Sequence, residues 1–186
     1  MFLKRIFLRG DEFFCTVFVK QYEISNFKKN QNMKTSITLF FALFISISFG
    51  QTKLVWHEDL GEAMEIANKT NKPLMMFFTG SDWCGWCIRL QKEVFFKEEF
   101  TKWANENVVL LELDYPKRKV QSPEVKSQNS SLQRQFKVQG YPTVWFVNAE
   151  KDSQGQVLFK QIGKTGYVRG GPEVWILNAK SLLGSK

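Results

Sequence analysis

"SDWCGWCIRL" runs from Ser81 to Leu90. Two cysteines stand three positions apart, a tryptophan precedes the first, and a run with helical character follows. The chain has 186 residues and three cysteines, so this one spacing takes two of the three. Such a pair serves as half of a metal site, a haem attachment point, a structural clip or a redox couple. Haem attachment needs His directly after the second cysteine, where Ile88 stands. A structural zinc site needs four ligands, and from residue 51 onward only His57 joins the pair, with no second cysteine pair. His57 alone reads as a surface residue. As a clip, the pair closes so short a loop that it removes little entropy from the unfolded chain. Redox chemistry is the use that remains.

The totals frame that reading. Hydrophobic residues make up 44%, enough for an ordinary buried core. The formal net charge is +8, and its location decides its meaning. Residues 1–50 carry seven Lys/Arg and three Asp/Glu, and residues 51–186 carry nineteen and fifteen, so each part contributes +4. The second part is only mildly basic. Its one dense basic cluster, "PKRKV" at Pro116 to Val120, reads as a solvated loop, and no nucleic-acid partner is expected. "GKT" at Gly163 to Thr165 lacks the upstream glycine of a phosphate loop, because Leu158 stands there.

"MKTSITLFFALFISISFGQ", Met33 to Gln51, opens on a lysine, continues through an apolar run from Ile37 to Phe49, and closes on Ser48-Phe49-Gly50. This is the three-part pattern of a secretory signal, with cleavage expected between Gly50 and Gln51. A membrane anchor is the competing reading, but the apolar run has thirteen residues and spanning a bilayer takes roughly 20. Residues 1–32, which hold Cys15, precede the signal and read as an over-extended start or an extension, with Met33 as a natural first residue. The expected organisation is therefore residues 1–32 outside the fold, a signal over 33–50 and one domain over 51–186. The domain is expected to be exported to the periplasm or secreted, monomeric, and without a stable membrane anchor after cleavage.

The pattern from residue 51 predicts a short extended entry at Leu54–Trp56 and a helix capped by Asp59 and running through Asn68, which Asn71-Lys72-Pro73 breaks. "LMMFF" (Leu74 to Phe78) reads as a strand buried on both faces. A helix is expected from near Cys84 through Phe95, with the helical pattern resuming from Phe96 to Asn105, with or without a kink. Val108 to Asp114 reads as a second central strand. Pro116 to Gln128 is polar and reads as a surface loop or insertion, followed by a short helix from Ser130 or Ser131 to Lys137. "TVWFV" (Thr143 to Val147) and "VLFKQIG" (Val157 to Gly163) read as strands, and Pro172 opens a last helix through Leu183. The sum is an α/β domain, a central mixed sheet with helices on both faces.

A cysteine that ends a strand and opens a helix lies near free backbone N–H groups and the positive end of the helix dipole, which favour thiolate over thiol. Cys84 is the expected nucleophile. Cys87, one turn later, is placed to attack the resulting mixed disulfide and release the product.

"WCGWC" after an apolar strand, with "GYPT" opening a later strand, resembles the thioredoxin superfamily over roughly Leu54 to Leu183. The resemblance implies the thioredoxin fold, a cis Pro142 packed against the cysteine pair, and Tyr141 as the residue that pairs with substrate backbone. It makes Trp83 the tryptophan beside the nucleophile and Gly163 the glycine that lets substrate approach. "EVFFKEEFTKWANENVVLLELD" is similar to exported thioredoxin-like proteins and to the C-terminal domain of bacterial transmembrane disulfide reductases. The chain departs from the family in three places. The dipeptide between the cysteines is Gly85-Trp86 rather than Gly-Pro. The family's buried acid falls on Phe77 or Phe78, and its paired lysine near Leu110, so both charges are absent together. Glu112, on the strand face of Leu110, is a candidate substitute. The third departure is the Pro116–Gln128 insertion.

The expected activity is thiol–disulfide exchange, Cys84 attacking and Cys87 resolving, with Trp83, Gly85, Trp86, Tyr141 and Pro142 framing the surface that partners touch. The partners are protein thiols and disulfides, with a membrane or soluble electron donor. No bound cofactor or metal is expected, because the dithiol carries two electrons itself. The subgroup favours a reductase. Oxidases and isomerases stay open, since thioredoxin and strong oxidants lie roughly 150 mV apart, about 7 kcal/mol for two electrons. A non-catalytic protein that binds a client or a soft metal through both thiolates is the alternative from another class.

Overall fold

The structure is a computed structural model and describes residues 53–184. The expected signal, the preceding 32 residues and Cys15 lie outside the described residues. Strand β2 (Leu74–Thr79) is the centre of the architecture: all six residues are buried, because the sheet is covered on both faces. It pairs in parallel with β3 (Val109–Asp114), which pairs in parallel with the short edge strand β1 (Trp56–His57). On its other side β2 runs antiparallel to β4 (Thr143–Lys151), and β4 antiparallel to β5 (Val157–Thr165). The sheet order is β1-β3-β2-β4-β5.

Alternation along β2 sends its side chains to two cores. Leu74, Met76 and Phe78 meet helix α1 (Leu60–Thr70) and helix α4 (Pro123–Gln135), through residues such as Met64 and Leu132. Met75 and Phe77 face the opposite core, beneath helices α2 (Gly85–Leu90), α3 (Glu98–Asn107) and α5 (Gly171–Leu183). That second core is aromatic. Phe95 meets Phe77 edge-on at 5.1 Å, and Phe100 and Trp175 at 4.6 and 5.3 Å. The mixed sheet with helices on both faces is as the sequence predicted.

Local signals explain most boundaries. Asp59 Oδ1 accepts from the Glu62 amide and caps α1, and Asn71 ends it in the left-handed conformation with φ 53°. Helix α2 passes directly into a wide π turn, Gln91–Phe95. Phe96 closes that turn by donating to the Gln91 carbonyl, and extended Lys97 breaks the path before α3. This break is the kink that the sequence left open.

The polar segment after β3 differs from expectation. It is a loop only as far as Ser122, whose hydroxyl accepts from the Val125 amide and caps α4 with Pro123 in its first turn. A serine followed by proline and glutamate is a helix start, and its polar, low-hydrophobicity run hid it. Among the described residues no helix is long and apolar enough to cross a membrane.

Candidate active site

Strand β2 delivers the chain to the turn that carries the cysteines, and the turn is fixed before the first sulfur is reached. The Cys84 amide donates to the Gly80 carbonyl at 2.8 Å. Asp114, at the end of neighbouring β3, accepts from both the Ser81 amide and the Ser81 hydroxyl, at 2.8 and 2.6 Å. Cys84 is the cap of α2, and its Sγ accepts from the Cys87 amide at 3.2 Å. The same N–H also donates to the Cys84 carbonyl at 3.1 Å, and a backbone N–H shared with the sulfur at a helix start is an arrangement that stabilises a thiolate. Cys84 and Cys87 are joined as a disulfide. Both residues are buried, Cys87 at 0% and Cys84 at 6% exposed, so Cys84 is the residue of the pair that retains contact with solvent.

Beneath the pair lies the aromatic core. Phe77 and Leu110 both belong to the cluster that contains the two cysteines, whereas Phe78 belongs to the opposite one. The position of the family's buried acid is therefore Phe77. Glu112 pairs in register with Phe77, on the strand face of Leu110. It lines a cavity of about 300 Å³ together with Glu58, Ser81, Asp114 and Lys119. Burial, and after it the charges of Asp114 and Glu58, push its carboxyl up to about 7, with Lys119 opposing.

The tryptophans expected to frame the sulfurs fall into two separate contact groups, Trp83 with Tyr141 and Trp86 with Tyr167. Trp83 and Tyr141 meet edge-on at 5.7 Å, and the Tyr141–Pro142 peptide bond is cis. The Tyr141 hydroxyl accepts from Gln133 Nε2 at 2.8 Å, so α4 positions the ring. Trp83 is also held by the segment after β3. Its Nε1 donates to the Tyr115 carbonyl at 2.7 Å, and Lys117 Nζ stands 4.3 Å from its ring centroid. Asp82 accepts from the Lys117 and Arg118 amides at 3.0 and 2.7 Å, and these bonds hold its carboxyl below the ordinary carboxylate range.

In the second group Trp86 is exposed and packs on Tyr167 at 5.3 Å. Arg89 lies over both rings and pairs with Glu93 at 2.8 Å, and the Tyr167 hydroxyl donates to the same carboxylate. Gly85 is exposed, and a Cβ there would meet nothing within 4 Å.

Sequence reasoning missed Tyr115, Lys117 and Tyr167, which touch the framing tryptophans. It also assigned the wrong glycine. A Cβ on Gly163 would press against Leu182 of α5, whereas one on Gly166 would stand 3.1 Å from the Pro142 carbonyl. Gly166 is the glycine at the site, and "KTGY" carried no signal that distinguished it from "QIGK". His57 is not the surface residue that the sequence suggested: its side chain is 12% exposed, on the edge strand β1, with Nδ1 3.4 Å from Glu62.

Residues 60–180 match the model of the thioredoxin-like domain family. The disulfide bond reductase DsbH of Chlamydia pneumoniae is 35% identical over 130 residues, which cover 70% of this chain and 73% of that protein. The thioredoxin-related protein DsbJ of the same organism is 34% identical over 98 residues, covering 53% of this chain and 28% of that protein. A solved structure of a DsbH oxidoreductase matches with a TM-score of 0.61 at 34% identity, over 70% of this chain and 85% of its own.

Proposed function

This chain belongs to the thioredoxin-like domain family, and from that premise we propose that it is an exported thiol–disulfide oxidoreductase that reduces protein disulfides through Cys84 and Cys87. The observation that carries this reading is the disulfide at the head of α2, with the solvent-reached Cys84 accepting a backbone N–H and Cys87 fully buried. In the reduced protein, the Cys84 thiolate attacks a client disulfide, forms a mixed disulfide and expels one client thiolate. Cys87 gives up its proton and attacks Cys84 Sγ, which expels the second client thiolate and closes the Cys84–Cys87 bond. The client gains two electrons and two protons. A membrane or soluble donor returns the pair to the dithiol. Trp83, Gly85, Trp86, Tyr141 and Pro142 form the surface against which the client chain lies, and the domain acts as a monomer.

The test is trapping. Cys87→Ser retains the attacking sulfur and lacks the resolving one, so it accumulates mixed disulfides visible on non-reducing gels. Cys84→Ser forms none and loses reduction of a disulfide substrate. Adducts on Cys84→Ser instead of Cys87→Ser would reverse the roles, and a wild type that binds Cu(I) through both thiols but reduces nothing would make the chain a binding protein. The signal pattern at Met33–Gly50 supports export, and the mass of the mature protein recovered from the cell envelope tests it, with an N-terminus at Gln51 expected.

A further inference from the structure

The segment Pro116–Lys119 has no part in the exchange chemistry, yet it is fastened to the three residues that precede the attacking cysteine. Asp82 accepts two of its amides, Trp83 donates to the Tyr115 carbonyl just before it, Lys117 lies over the Trp83 ring, and Lys119 Nζ reaches Ser81 Oγ at 3.3 Å. A loop held at this many points presents its side chains in a fixed place. Those side chains are Lys117, Arg118 and Lys119, all exposed. Among the described residues none of the three forms an ion pair. Of the neighbouring acids, Asp82 is engaged with loop amides and Asp114 with Ser81, while Glu58 and Glu112 line a cavity with Lys119 alone of the three cations, and Lys119 acts on the Glu112 carboxyl without forming an ion pair. The rim beyond Trp86 carries its cations on a shared acid: Arg89 pairs with Glu93, and the charge of Arg169 acts on the same carboxylate. Exposed positive charge with no ion-pair partner, at Lys117 and Arg118 above all, therefore stands next to the aromatic surface at Trp83.

We propose that the Lys117-Arg118-Lys119 rim selects client proteins whose disulfide is flanked by acidic residues. The proposal rests on the reductase reading above and names the substrate class of that same site. A client segment laid over Trp83 and Tyr141 brings its flanking carboxylates to the rim. The attraction speeds encounter, and salt screens it.

The test uses the purified full chain, reduced by dithiothreitol, and two peptides that share one internal disulfide and differ only in Asp/Glu or Lys flanks. The readout is the ratio of kcat/KM for the acidic peptide to that for the basic one. We expect a ratio of about tenfold at low salt, falling as salt rises toward the ~3 Å screening length of 1 M. In R118S/K119S, which keeps both amides for Asp82, the ratio falls toward one. Because it is a ratio within one protein, partial loss of folded material does not move it. Equal rates with both peptides overturn the rim alone. Failure to reduce either peptide overturns the reductase reading and the rim with it. Equal peptide rates combined with sedimentation on anionic phospholipid vesicles, lost in R118S/K119S, assign the rim to a membrane surface and overturn the proposal.

Discussion

In one of the two groups at the cysteine turn, Trp86 and Tyr167 pack under Arg89, which pairs with Glu93. In the other, Trp83 meets Tyr141 and a loop whose cations form no ion pair among the described residues. The first flank comes from α2, the π turn and the run before α5, and its central ring, Trp86, stands 54% exposed. The second is fastened to β3, to the loop after it and to α4. Trp83, two residues before Gly85, and Trp86, directly after it, thus have different duties: Trp83 is bonded into the framework that fixes the turn, and Trp86 is the more exposed face for a partner.

The largest effect expected from breaking this contrast is on stability. Trp83→Ala removes a hydrogen bond to Tyr115 and the edge contact with Tyr141, and should cost roughly 3 kcal/mol in urea unfolding. Trp86→Ala should stay within about 1 kcal/mol of wild type while still weakening client turnover. Equal costs would show the two flanks to be alike.

Glu112 sharpens the comparison, because it lines the cavity beneath the fastened flank. Its folded-state value is raised from 4.5 to about 7 by burial first. Between those values the folded protein binds a proton that the unfolded chain has released, so stability is highest at the acid end of this window and falls as pH rises through it. Glu112→Gln carries no charge to bury. It should be more stable than wild type at pH 8, on the order of 2 kcal/mol, with the gap closing toward pH 4.5. A parallel pair of stability–pH curves would show that this carboxyl is ordinary.

The smallest effects are at two glycines. A Cβ on Gly80 would stand 2.5 Å from Trp83 Cε2, against a ring held in place by Tyr115, so Gly80→Ala should destabilise by about 1–2 kcal/mol. Gly85→Ala meets open space and should change thermal stability by no more than about 0.5 kcal/mol.

Most of the architecture was legible because it follows from local signals. The apolar run Leu74–Phe78 has no polar position, which only a strand covered on both faces tolerates, and Asp59 and Pro172 mark helix starts by removing or satisfying free amides. Helix α4 was read too short because its polar face from Pro123 to Asn129 resembles a loop in composition, although Ser122-Pro123 marks its start. The ambiguity between Phe77 and Phe78 had a different source. Period-two alternation says that the two face opposite cores, but not which core holds the cysteines.

The sequence by itself determined the α/β order, the cysteine spacing with its cap geometry, and the absence of the family's buried acid–lysine pair. Each depends on residues within a turn or a strand of one another, where the periods of 3.6 and 2 fix direction. Only the tertiary structure decided that Phe77 shares a core with the cysteines, that Gly166 rather than Gly163 abuts Pro142, and that Tyr167 and Lys117 flank the tryptophans. Lys117 and Trp83 are separated by β3 and three helical segments in the chain, and they meet because parallel pairing of β2 and β3 brings the two strand ends side by side. Sequence spacing carries no record of such a meeting, since it is set by which strands pair and in what register.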